Sequence, residues 1–414
     1  MKALVVGAGL AGLAASIELA KRGATVTLAE RRGFAGGRAY SFLQEGEQVD
    51  NGQHVFLGCC ESYLGFLDEI GARGLVTLQE RTRVPFVDTR SGKVAWIVES
   101  RLPAPCHFLP SILKFHPLTG KERRGLISCA RAMMKAKEVA EVTFGAWLRG
   151  HGQSEAAIRD WWDLLSVAIL NEHVDVVSAK VAIFVFATGF FGARKAARVG
   201  VATAGLGVIA AKAVERARAL GVEVKFNTKV ARVPDPAYDV TVSAVPWKAL
   251  VELVEPHPFF EPLKAMEAAP IVNLHVTFDR PVAEFPFAAY VGSPIQWIFD
   301  HGRRVVLSQS AAREIIDVPN AELEKRFVDE LRRVLPKAKE AKVVRCTIIR
   351  EREATFVATP GVKRLPCGTP MKGLFLAGEW TESEWPSTME AAVASGVRAA
   401  RLAVESRAAS AAGR

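Results

Sequence analysis

Apolar and polar positions follow two different periods at the start of the chain. Residues 3–6 form an uninterrupted apolar run, which predicts a strand buried in a parallel sheet. Between Leu10 and Ile17, apolar side chains recur at the intervals of one helix face. A second apolar run, Thr25–Ala29, predicts another strand and ends at Glu30. The first 30 residues therefore predict a strand–helix–strand unit.

Three glycines follow the first predicted strand at the spacing GxGxxG. Gly7 permits a tight turn, Gly9 lets the backbone approach a pyrophosphate, and Gly12 lets the helix pack closely on the strand. The free N–H groups and the positive end of the helix dipole suit that pyrophosphate. Glu30 can accept hydrogen bonds from the ribose hydroxyls. The order of strand, glycines, helix, strand and acid predicts a dinucleotide site.

A second glycine-rich loop follows Glu30. It begins with Arg31 and ends in Gly36, Gly37 and Arg38. Such a loop can pass a second stretch of backbone over the pyrophosphate, with the arginine as a charge partner. A solvated turn is the alternative. Beside the first motif, the second loop indicates FAD rather than NAD.

The residue patterns between positions 83 and 193 differ from those of the first 38 residues. Residues 83–118 are rich in proline and aromatic residues, which predicts strands and loops of a second domain. Residues 121–141 predict an amphipathic helix with a basic face, either a surface helix or one that lies on an anionic bilayer. Residues 181–193 form an apolar run too short to span a bilayer. This run could line an apolar tunnel, dip into one leaflet or belong to the core.

The pattern returns to short apolar strands and an alanine-rich helix at Val199, then changes again at residue 250. We therefore predict an α/β protein with two discontinuous domains, a cofactor domain and a substrate domain of mixed α+β structure. The predicted cofactor domain comprises residues 1–80, 199–249 and 365–414, and the predicted substrate domain comprises residues 81–198 and 250–364.

Near the C-terminus, an apolar run predicts a strand that leads into Gly378 and Glu379. Ser387 and Glu390 match a capping box, with Ser387 as the N-cap, and predict that a helix begins there. The alanine- and arginine-rich residues after Ser406 are predicted to fray.

Composition and charge narrow the classes of partner. The 414 residues exceed what one hydrophobic core usually serves, in agreement with two domains. The formal net charge of +10 suits either nucleic acid or an anionic membrane. No nucleic-acid-binding motif occurs, so we expect no nucleic-acid partner. Six scattered cysteines without a CxxC pair predict no metal site and a reduced, cytoplasmic setting, and a strand at residue 3 leaves no room for a signal peptide.

The combination of GxGxxG, a terminal acid and a Gly–Gly–Arg loop resembles the flavoprotein superfamily of amine oxidases and carotenoid desaturases. The sequence DNGQH at residues 50–54, the pair Leu170 and Asn171, and the C-terminal GEWT…WPSTMEAAVASG are similar to the hydroxysqualene dehydroxylases. This resemblance covers the whole chain. It implies a Rossmann-like, glutathione-reductase-like FAD-binding domain of the amine oxidase type. It also implies reductive removal of an allylic hydroxyl by hydride from reduced FAD, in squalene or hopanoid biosynthesis.

The resemblance also implies how FAD is held. The segment at Val230 would contact the adenine side, and the acid after the last strand would contact the ribityl chain. That acid is usually Asp in the family, whereas this chain has Glu379. The helix that follows would point its N-terminus at the flavin pyrimidine ring. The residues expected to contact non-covalent FAD are Gly7, Gly9, Leu10, Ala11, Gly12, Glu30, Arg31, Gly36, Gly37, Arg38, Gly52, Gln53, His54, Val230, Gly378, Glu379, Thr388 and Met389.

Removal of a hydroxyl needs a proton donor, and the sequence offers several. His54 is the first candidate, because imidazole titrates near neutral pH, with Asp50 and Gln53 beside it. The alternative is that this segment forms a backbone bracket beneath the flavin, in which Asp50 and His54 satisfy local hydrogen bonds. Glu172 and His173 are weaker candidates.

Three other functions stay open. A phytoene-type desaturase or isomerase would use the same apolar substrate class. An amine oxidase is disfavoured, because no cysteine that could tether FAD occurs from Gly368 onward. A non-catalytic flavin-binding scaffold is the third. For the favoured function we expect an apolar isoprenoid substrate and peripheral contact with an anionic membrane at its inner face, while the electron donor is not identified.

Overall fold

The computed structural model of this protein describes residues 1–412, with side chains through residue 408. Within this range the chain forms two large sheets, two small sheets and the helices that pack against them. Residues 413 and 414, which belong to the predicted cofactor domain, lie outside the described residues.

The strands of the described residues are β1 (Lys2–Val6), β2 (Thr25–Ala29), β3 (Ser41–Gln44), β4 (Glu47–Asp50), β5 (Val55–Leu57), β6 (Val76–Leu78), β7 (Arg83–Asp88), β8 (Lys93–Val98), β9 (Val199–Ala202), β10 (Glu223–Lys225), β11 (Val240–Ser243), β12 (Ala268–Phe278), β13 (Phe287–Val291), β14 (Trp297–His301), β15 (Arg304–Gln309), β16 (Val343–Phe356) and β17 (Leu374–Leu376).

The α-helices of the described residues are α1 (Leu10–Lys21), α2 (Glu61–Glu69), α3 (Leu109–Leu113), α4 (Gly120–Lys135), α5 (Phe144–Gly150), α6 (Glu155–Ala157), α7 (Leu164–Leu170), α8 (Ala179–Phe186), α9 (Leu206–Ala219), α10 (Trp247–Leu253), α11 (Asn320–Val334) and α12 (Met389–Ala412).

A parallel five-stranded sheet carries the GxGxxG motif. Its strand order is β10-β2-β1-β11-β17, so β1 lies in the middle. Ala3 and Val5 on β1 pack in the cluster that includes α1 and α12, whereas Leu4 and Val6 belong to a second cluster on the opposite face. Burial on both faces explains the uninterrupted apolar run of this strand. The predicted α/β fold class is confirmed.

A seven-stranded mixed sheet has the order β16-β12-β15-β14-β13-β7-β8. The pair β13 and β7 is parallel, and the other neighbours are antiparallel. On β12, Val272, Leu274 and Val276 pack in a core cluster with α11, and Asn273 and His275 alternate to the other face. The strands of this sheet all come from the ranges predicted for the substrate domain, but the division of the chain into two domains stays a prediction.

The last helix differs from its prediction at both ends. Its N-cap is Thr388, whose Oγ1 accepts a hydrogen bond from Ala391 N at 3.1 Å, so the predicted N-cap Ser387 is wrong by one residue. Glu390 caps another helix instead, because its carboxylate accepts from Ser62 N (3.0 Å) and Tyr63 N (2.8 Å) in the first turn of α2. The helix also continues to Ala412, so the predicted fraying after Ser406 is not observed.

Two glycines let helices approach other backbone closely. A Cβ added to Gly396 on α12 would lie 2.1 Å from Ala11 O on α1, and one added to Gly12 would lie 1.8 Å from Gly7 O. The first contact holds α12 against α1, and the second holds α1 against the end of β1. Within residues 1–412, no helix is both long enough and apolar enough to cross a bilayer.

His275 on β12 is a buried polar group that makes the stability of the folded protein depend on pH. It is 4% exposed, and neither ring nitrogen has a hydrogen-bond partner among the described residues. Burial, aided by the charges of Arg304 and His301, lowers the pKa of His275 to about 4. The folded protein therefore resists protonation of a side chain that the unfolded chain protonates near pH 6.5.

We expect the free energy of unfolding to be unaffected by His275 protonation above pH 6.5 and to decrease as the pH falls from 6.5 toward 4. In this range the unfolded chain takes up a proton at His275 that the folded protein resists. The loss is about 3 kcal/mol, since each unit of pKa difference corresponds to about 1.4 kcal/mol. Urea unfolding of the wild type and of His275→Leu, measured from pH 7 to pH 4, checks this value. The wild type should lose more stability than the variant, while the exposed control His116→Leu should follow the wild type. Parallel curves for wild type and His275→Leu would contradict the assignment.

Candidate functional site

One cavity of about 680 Å³ contains most of the residues that the motifs singled out. Its polar part, here named the glycine compartment, is lined by Gly7, Gly9, Leu10, Ala11, Glu30, Arg31, Gly36, Gly37 and Arg38. Its other part, here named the apolar chamber, is lined by Val84, Phe86, Ile97, Phe108, Ile112, Leu126, Ile127, Trp161, Trp162, Leu165, Ile169, Val185, Phe186, Phe190, Phe191 and Trp297.

The two glycine loops contact each other directly. Gly36 N donates to Ala8 O at 2.8 Å, and the backbone of Gly9 pairs with that of Gly36. A Cβ added to Gly37 would lie only 3.0 Å from Gly9 Cα, and both Gly36 and Gly37 have positive φ angles (117° and 63°). Side chains at these positions would therefore separate the loops or strain the backbone. The second loop is part of the same site as the first.

The N-terminus of α1 and the acid at the end of β2 meet at this compartment. The helix has Gly9 as its N-cap and no side-chain cap, so its first N–H groups lack intrahelical partners. Glu30 is 8% exposed, and its carboxylate accepts from Ala8 N and from Arg32 N, both at 2.8 Å. These bonds hold the carboxylate toward the cavity and leave lone pairs for further donors.

Gly12, in contrast, lies outside the cavity lining. Its role is the close packing of α1 on the end of β1. Of the other predicted cofactor contacts, Val230, Gly378, Thr388 and Met389 line the cavity. The start of α12 therefore also faces the cavity.

An ion pair joins the second glycine loop to the end of β17. Arg38 Nη2 contacts Glu379 Oε2, and Arg38 Nη1 donates to Ala354 O at 3.2 Å. Glu379 is 6% exposed, and its Oε1 has no hydrogen-bond partner among the described residues. Removing the arginine would leave a buried carboxylate without its counter-charge, which is strongly unfavourable.

Arg364 holds the segment between β17 and α12. Its guanidinium donates to the carbonyls of Glu379, Ser383 and Trp385, the last two at 2.7 Å, and lies over the ring of Phe356. Burial lowers the pKa of Arg364 to about 10, which still leaves it charged at neutral pH. This arginine orders the backbone that carries the buried acid.

The DNGQH segment forms a bracket between the two sheets. Asn51 Nδ2 donates to Arg38 O (2.8 Å) and to Glu351 Oε1 (2.9 Å), and Asn51 O accepts from Asn273 Nδ2 (3.1 Å). Asn273 Oδ1 in turn accepts from Ser308 Oγ at 2.7 Å. Gly52 is required here, because an added Cβ would lie 2.5 Å from Asn273 Nδ2.

The three predicted catalytic residues have different surroundings. Asp50 lies outside the cavity lining, and its Oδ1 accepts from Ser41 Oγ (2.5 Å) and Leu206 N (3.0 Å). Gln53 lines the cavity, and its Oε1 lies 3.0 Å from His301 Nε2.

His54 also lines the cavity, with its Nδ1 3.3 Å from Gly52 O. Since a carbonyl can only accept, Nδ1 carries the hydrogen and Nε2 is an acceptor in the neutral ring. Burial lowers the pKa of His54 below its ordinary value. The imidazole is therefore neutral at pH 7, and this geometry favours the bracket over a proton donor.

The weaker candidates lie outside the cavity lining. The Glu172 carboxylate pairs with Arg313, and His173 pairs with Asp163 at 2.8 Å, which raises the pKa of His173. The neighbouring Asn171 does line the cavity.

Asn171 ends α7 in a left-handed conformation (φ 53°). Its side chain donates to Thr355 Oγ1 and to Ala269 O and accepts from Ala311 N. It therefore joins the helical wall of the chamber to the seven-stranded sheet.

Aromatic rings and two predicted helices form the apolar chamber. Phe86 stacks on Trp161 with ring centroids 5.7 Å apart and meets Trp297 edge-on at 6.1 Å. The run 181–193 lies mostly in α8 and the helical turn after it. Four of its residues line the cavity, and several also pack in the core cluster, so the structure agrees with both the lining and the core alternatives. The helix predicted over 121–141 is α4, which ends at Lys135, six residues earlier than predicted. Leu126, Ile127, Ala130 and Met134 of this helix line the cavity, and Lys121, Arg124, Arg131 and Lys135 are exposed.

Sequence reasoning missed several residues of the site. Asn273, Ser308 and Glu351 line the cavity from the seven-stranded sheet, and Arg364 orders the segment near Glu379. Only Asn273 carried a local signal, as a polar residue within the apolar run of β12. Within residues 1–412, no group of three or more His, Cys, Asp and Glu side chains could hold a metal ion.

Known flavoproteins resemble this chain over nearly its whole length. A family model described as flavin containing amine oxidoreductase matches residues 10–404. The hydroxysqualene dehydroxylase of Rhodopseudomonas palustris is 29% identical over 432 aligned positions, which cover 96% of this chain and 97% of that protein. A zeta-carotene desaturase of Synechocystis sp. is 23% identical, with 99% of this chain and 98% of that protein covered.

Solved structures share the fold. An oxidoreductase from Methanosarcina mazei superposes with a TM-score of 0.76 at 16% identity, covering 97% of this chain and 100% of that one. Putrescine oxidase bound to putrescine superposes with a TM-score of 0.73 at 17% identity, covering 98% of this chain and 99% of that one.

We predict that Gly9→Val folds but is purified with little or no flavin. A Cβ added to Gly9 would meet only Gly37 Cα, at the ordinary contact distance of 3.7 Å, so the added side chain would occupy the part of the cavity where the pyrophosphate is expected. The flavin absorbance per polypeptide measures this. Gly65→Val on α2 is the matched control, because its added Cβ meets nothing within 4 Å. Normal flavin content in Gly9→Val would refute the placement of the pyrophosphate.

Gly12→Ala should instead reduce the stability of the protein, because its added Cβ would overlap Gly7 O. Overpacking of this kind costs about 1–3 kcal/mol, so urea unfolding should show a loss of stability in this variant. Gly9→Val should lose far less stability in the same measurement.

Proposed function

This chain belongs to the family of flavin-containing amine oxidoreductases, and we propose that it uses non-covalent FAD to remove the hydroxyl group of hydroxysqualene, giving squalene. The carrying observation is that the glycine compartment and the apolar chamber are parts of one cavity. A cofactor in the first part would therefore face a long apolar substrate in the second.

The glycine compartment fits FAD in three respects. The uncapped N-terminus of α1 suits a pyrophosphate, and the buried Glu30 carboxylate suits ribose hydroxyls. At the other side, Glu379 Oε1 is buried and unpaired among the described residues, which suits a ribityl hydroxyl. The longer Glu in place of Asp therefore still offers an acceptor.

The surroundings of Cys367 support non-covalent binding. This residue is the last cysteine of the sequence, and it lies outside the cavity lining. Its Sγ contacts Thr381 Oγ1 (3.9 Å) and Ser395 O (3.8 Å). No cysteine of the C-terminal segment is therefore available to the flavin.

When bound, FAD supplies hydride transfer, and the reduction consumes one hydride and one proton as the C–O bond breaks and water leaves. The chain itself excludes water from the chamber and orients an apolar substrate. The aromatic faces of Phe86, Trp161 and Trp297 can stabilise positive charge at the allylic carbon. Asn51 acts as a positioning residue that fixes the bracket between the sheets, and His54 positions the bracket internally through Gly52 O.

The alternatives fit the cavity less completely. A desaturase of carotenoid type would use the same chamber, and the similarity to a zeta-carotene desaturase keeps it as the second candidate. An amine substrate would bring a charge into the apolar chamber, which is costly without a partner. A scaffold that binds flavin without turnover would have no use for a chamber continuous with the cofactor site.

We also propose that the protein acts in the cytoplasm, at the inner face of the membrane. Leu102, Leu113 and Met134 are 42%, 49% and 41% exposed, and Met134 and Arg131 also line the cavity. These three residues and the exposed basic residues of α4 are together named the basic–apolar surface. Anionic lipid and a route for an apolar substrate would meet there.

We expect the reduced protein, incubated with hydroxysqualene without oxygen, to form squalene and to reoxidise its flavin in a 1:1 ratio. Product analysis by gas chromatography and flavin absorbance measure the two quantities. Oxidised protein with hydroxysqualene is the control and should form no product.

Conversion of phytoene or zeta-carotene by oxidised protein, without squalene formation by reduced protein, would favour the desaturase. Flavin binding with no conversion in either redox state would favour the scaffold. In the squalene assay His54→Gln should retain turnover, because a neutral positioning residue is replaced by a neutral one. Loss of more than about a hundredfold in kcat with normal flavin content would restore His54 as the proton donor.

Sedimentation with vesicles tests the membrane proposal. The protein should bind vesicles rich in phosphatidylglycerol more strongly than phosphatidylcholine vesicles, because of the basic residues of α4. The double variant Leu113→Ser/Met134→Ser should bind several-fold more weakly. Val344→Ser, at a residue that is 60% exposed on β16, is the matched control. Equal binding by the double variant and the control would contradict the surface.

A further inference from the structure

A buried polar cluster lies in the wall of the otherwise apolar chamber. Thr82, Glu99 and His107 are each at most 2% exposed. Thr82 precedes β7 and Glu99 follows β8, where Glu99 N donates to Thr82 O at 2.9 Å and Glu99 Oε2 accepts from Thr82 N at 3.3 Å. Ser100 N donates to His107 O at 2.8 Å, which fixes the third member beside them.

Thr82 is the member of the cluster that lines the cavity. Glu99 and His107 do not line it, but nearby residues of the chain do: Ile97, Cys106 and Phe108. Thr82 therefore faces the cavity, and Glu99 and His107 lie behind the lining.

Two arginines contact the single carboxylate of the cluster. Glu99 Oε1 lies 2.9 Å from Arg194 Nη2, and Glu99 Oε2 lies 3.6 Å from Arg198 Nε. The carboxylate is therefore already paired, and the side-chain groups left for a ligand are the neutral hydroxyl of Thr82 and the ring of His107.

The side-chain polar atoms of Thr82 and His107, in contrast, are not used in hydrogen bonds among the described residues. Thr82 Oγ1 and both ring nitrogens of His107 have no hydrogen-bond partner among the described residues. Buried polar groups without partners are rare and unfavourable, so each unpaired one requires an explanation. Three unpaired atoms in one cluster beside a ligand-sized cavity point to a polar group supplied by the ligand.

We propose that Thr82, backed by Glu99 and His107, is a subsite for the hydroxyl group of an isoprenoid alcohol in the apolar chamber. This inference rests on the proposed function and adds the group that selects the substrate. The Thr82 hydroxyl can turn about χ1 toward a ligand hydroxyl without breaking an existing hydrogen bond. A hydrocarbon product leaves Thr82 unpaired, so the subsite favours the alcohol over the product.

Binding of farnesol and of its hydrocarbon counterpart farnesene tests the subsite without turnover. The three tryptophans that line the chamber, Trp161, Trp162 and Trp297, report occupancy through their fluorescence. We expect the oxidised holoenzyme to bind farnesol about fivefold more tightly than farnesene, the effect of one neutral hydrogen bond. Thr82→Val, which keeps the shape, should bring the ratio near one, and Thr82→Ser should restore it.

Ile97→Val is the matched control, because it changes the same wall without changing its polarity. It should weaken both ligands alike and keep the ratio. Should Thr82→Val fail to fold, as judged by its flavin content, Thr82→Ala supplies the same comparison. A ratio near fivefold in Thr82→Val or Thr82→Ala would overturn the subsite, as would a ratio of one in the wild type. Failure of the wild type to bind either compound would instead reject the polyisoprenoid function and the subsite with it.

Discussion

The close contact between the two glycine loops is the constraint on which the rest of the site depends. A Cβ added to Gly37 would lie 3.0 Å from Gly9 Cα, and Gly37 has a positive φ angle, so this approach requires glycine at position 37. The contact brings the N-terminus of α1, the acid at the end of β2 and Arg38 to one compartment. From Arg38 the ion pair to Glu379 continues the site to the end of β17. A change at this contact would therefore disturb every later part of the cofactor site.

The cavity combines two environments that serve different purposes. In the glycine compartment, helix ends and paired charges face a ligand that carries negative charge and hydroxyl groups. In the apolar chamber, aromatic and aliphatic side chains exclude water, which strengthens any electrostatic interaction inside it. The bracket at residues 50–54 joins this cavity to the seven-stranded sheet, because Asn51 and Gly52 contact Asn273. Redox chemistry on a water-insoluble substrate needs both environments in one space.

Local signals predict the strand–helix–strand unit and the two glycine loops, but not the residues of the seven-stranded sheet that line the cavity. The GxGxxG motif and the acid Glu30 depend on residues within 30 positions of each other, so their geometry is encoded along the chain. The sequence spacing predicts a capping box formed by Ser387 and Glu390, whereas Glu390 caps α2, more than 300 residues earlier in the sequence. Sequence spacing could not reveal this, because a carboxylate near a helix start can serve any helix end that folding brings to it.

The sequence by itself determined the strands and helices of the cofactor motif, the presence of two glycine loops and the apolar character of the middle of the chain. These features follow from periodicity and from the backbone freedom of glycine, which are properties of short segments. The tertiary structure decided which polar groups meet: Asn51 with Asn273, Arg38 with Glu379, and Thr82 with Glu99. The physical reason is that a hydrogen bond or an ion pair acts over a few ångströms of space, whatever the number of residues between its partners.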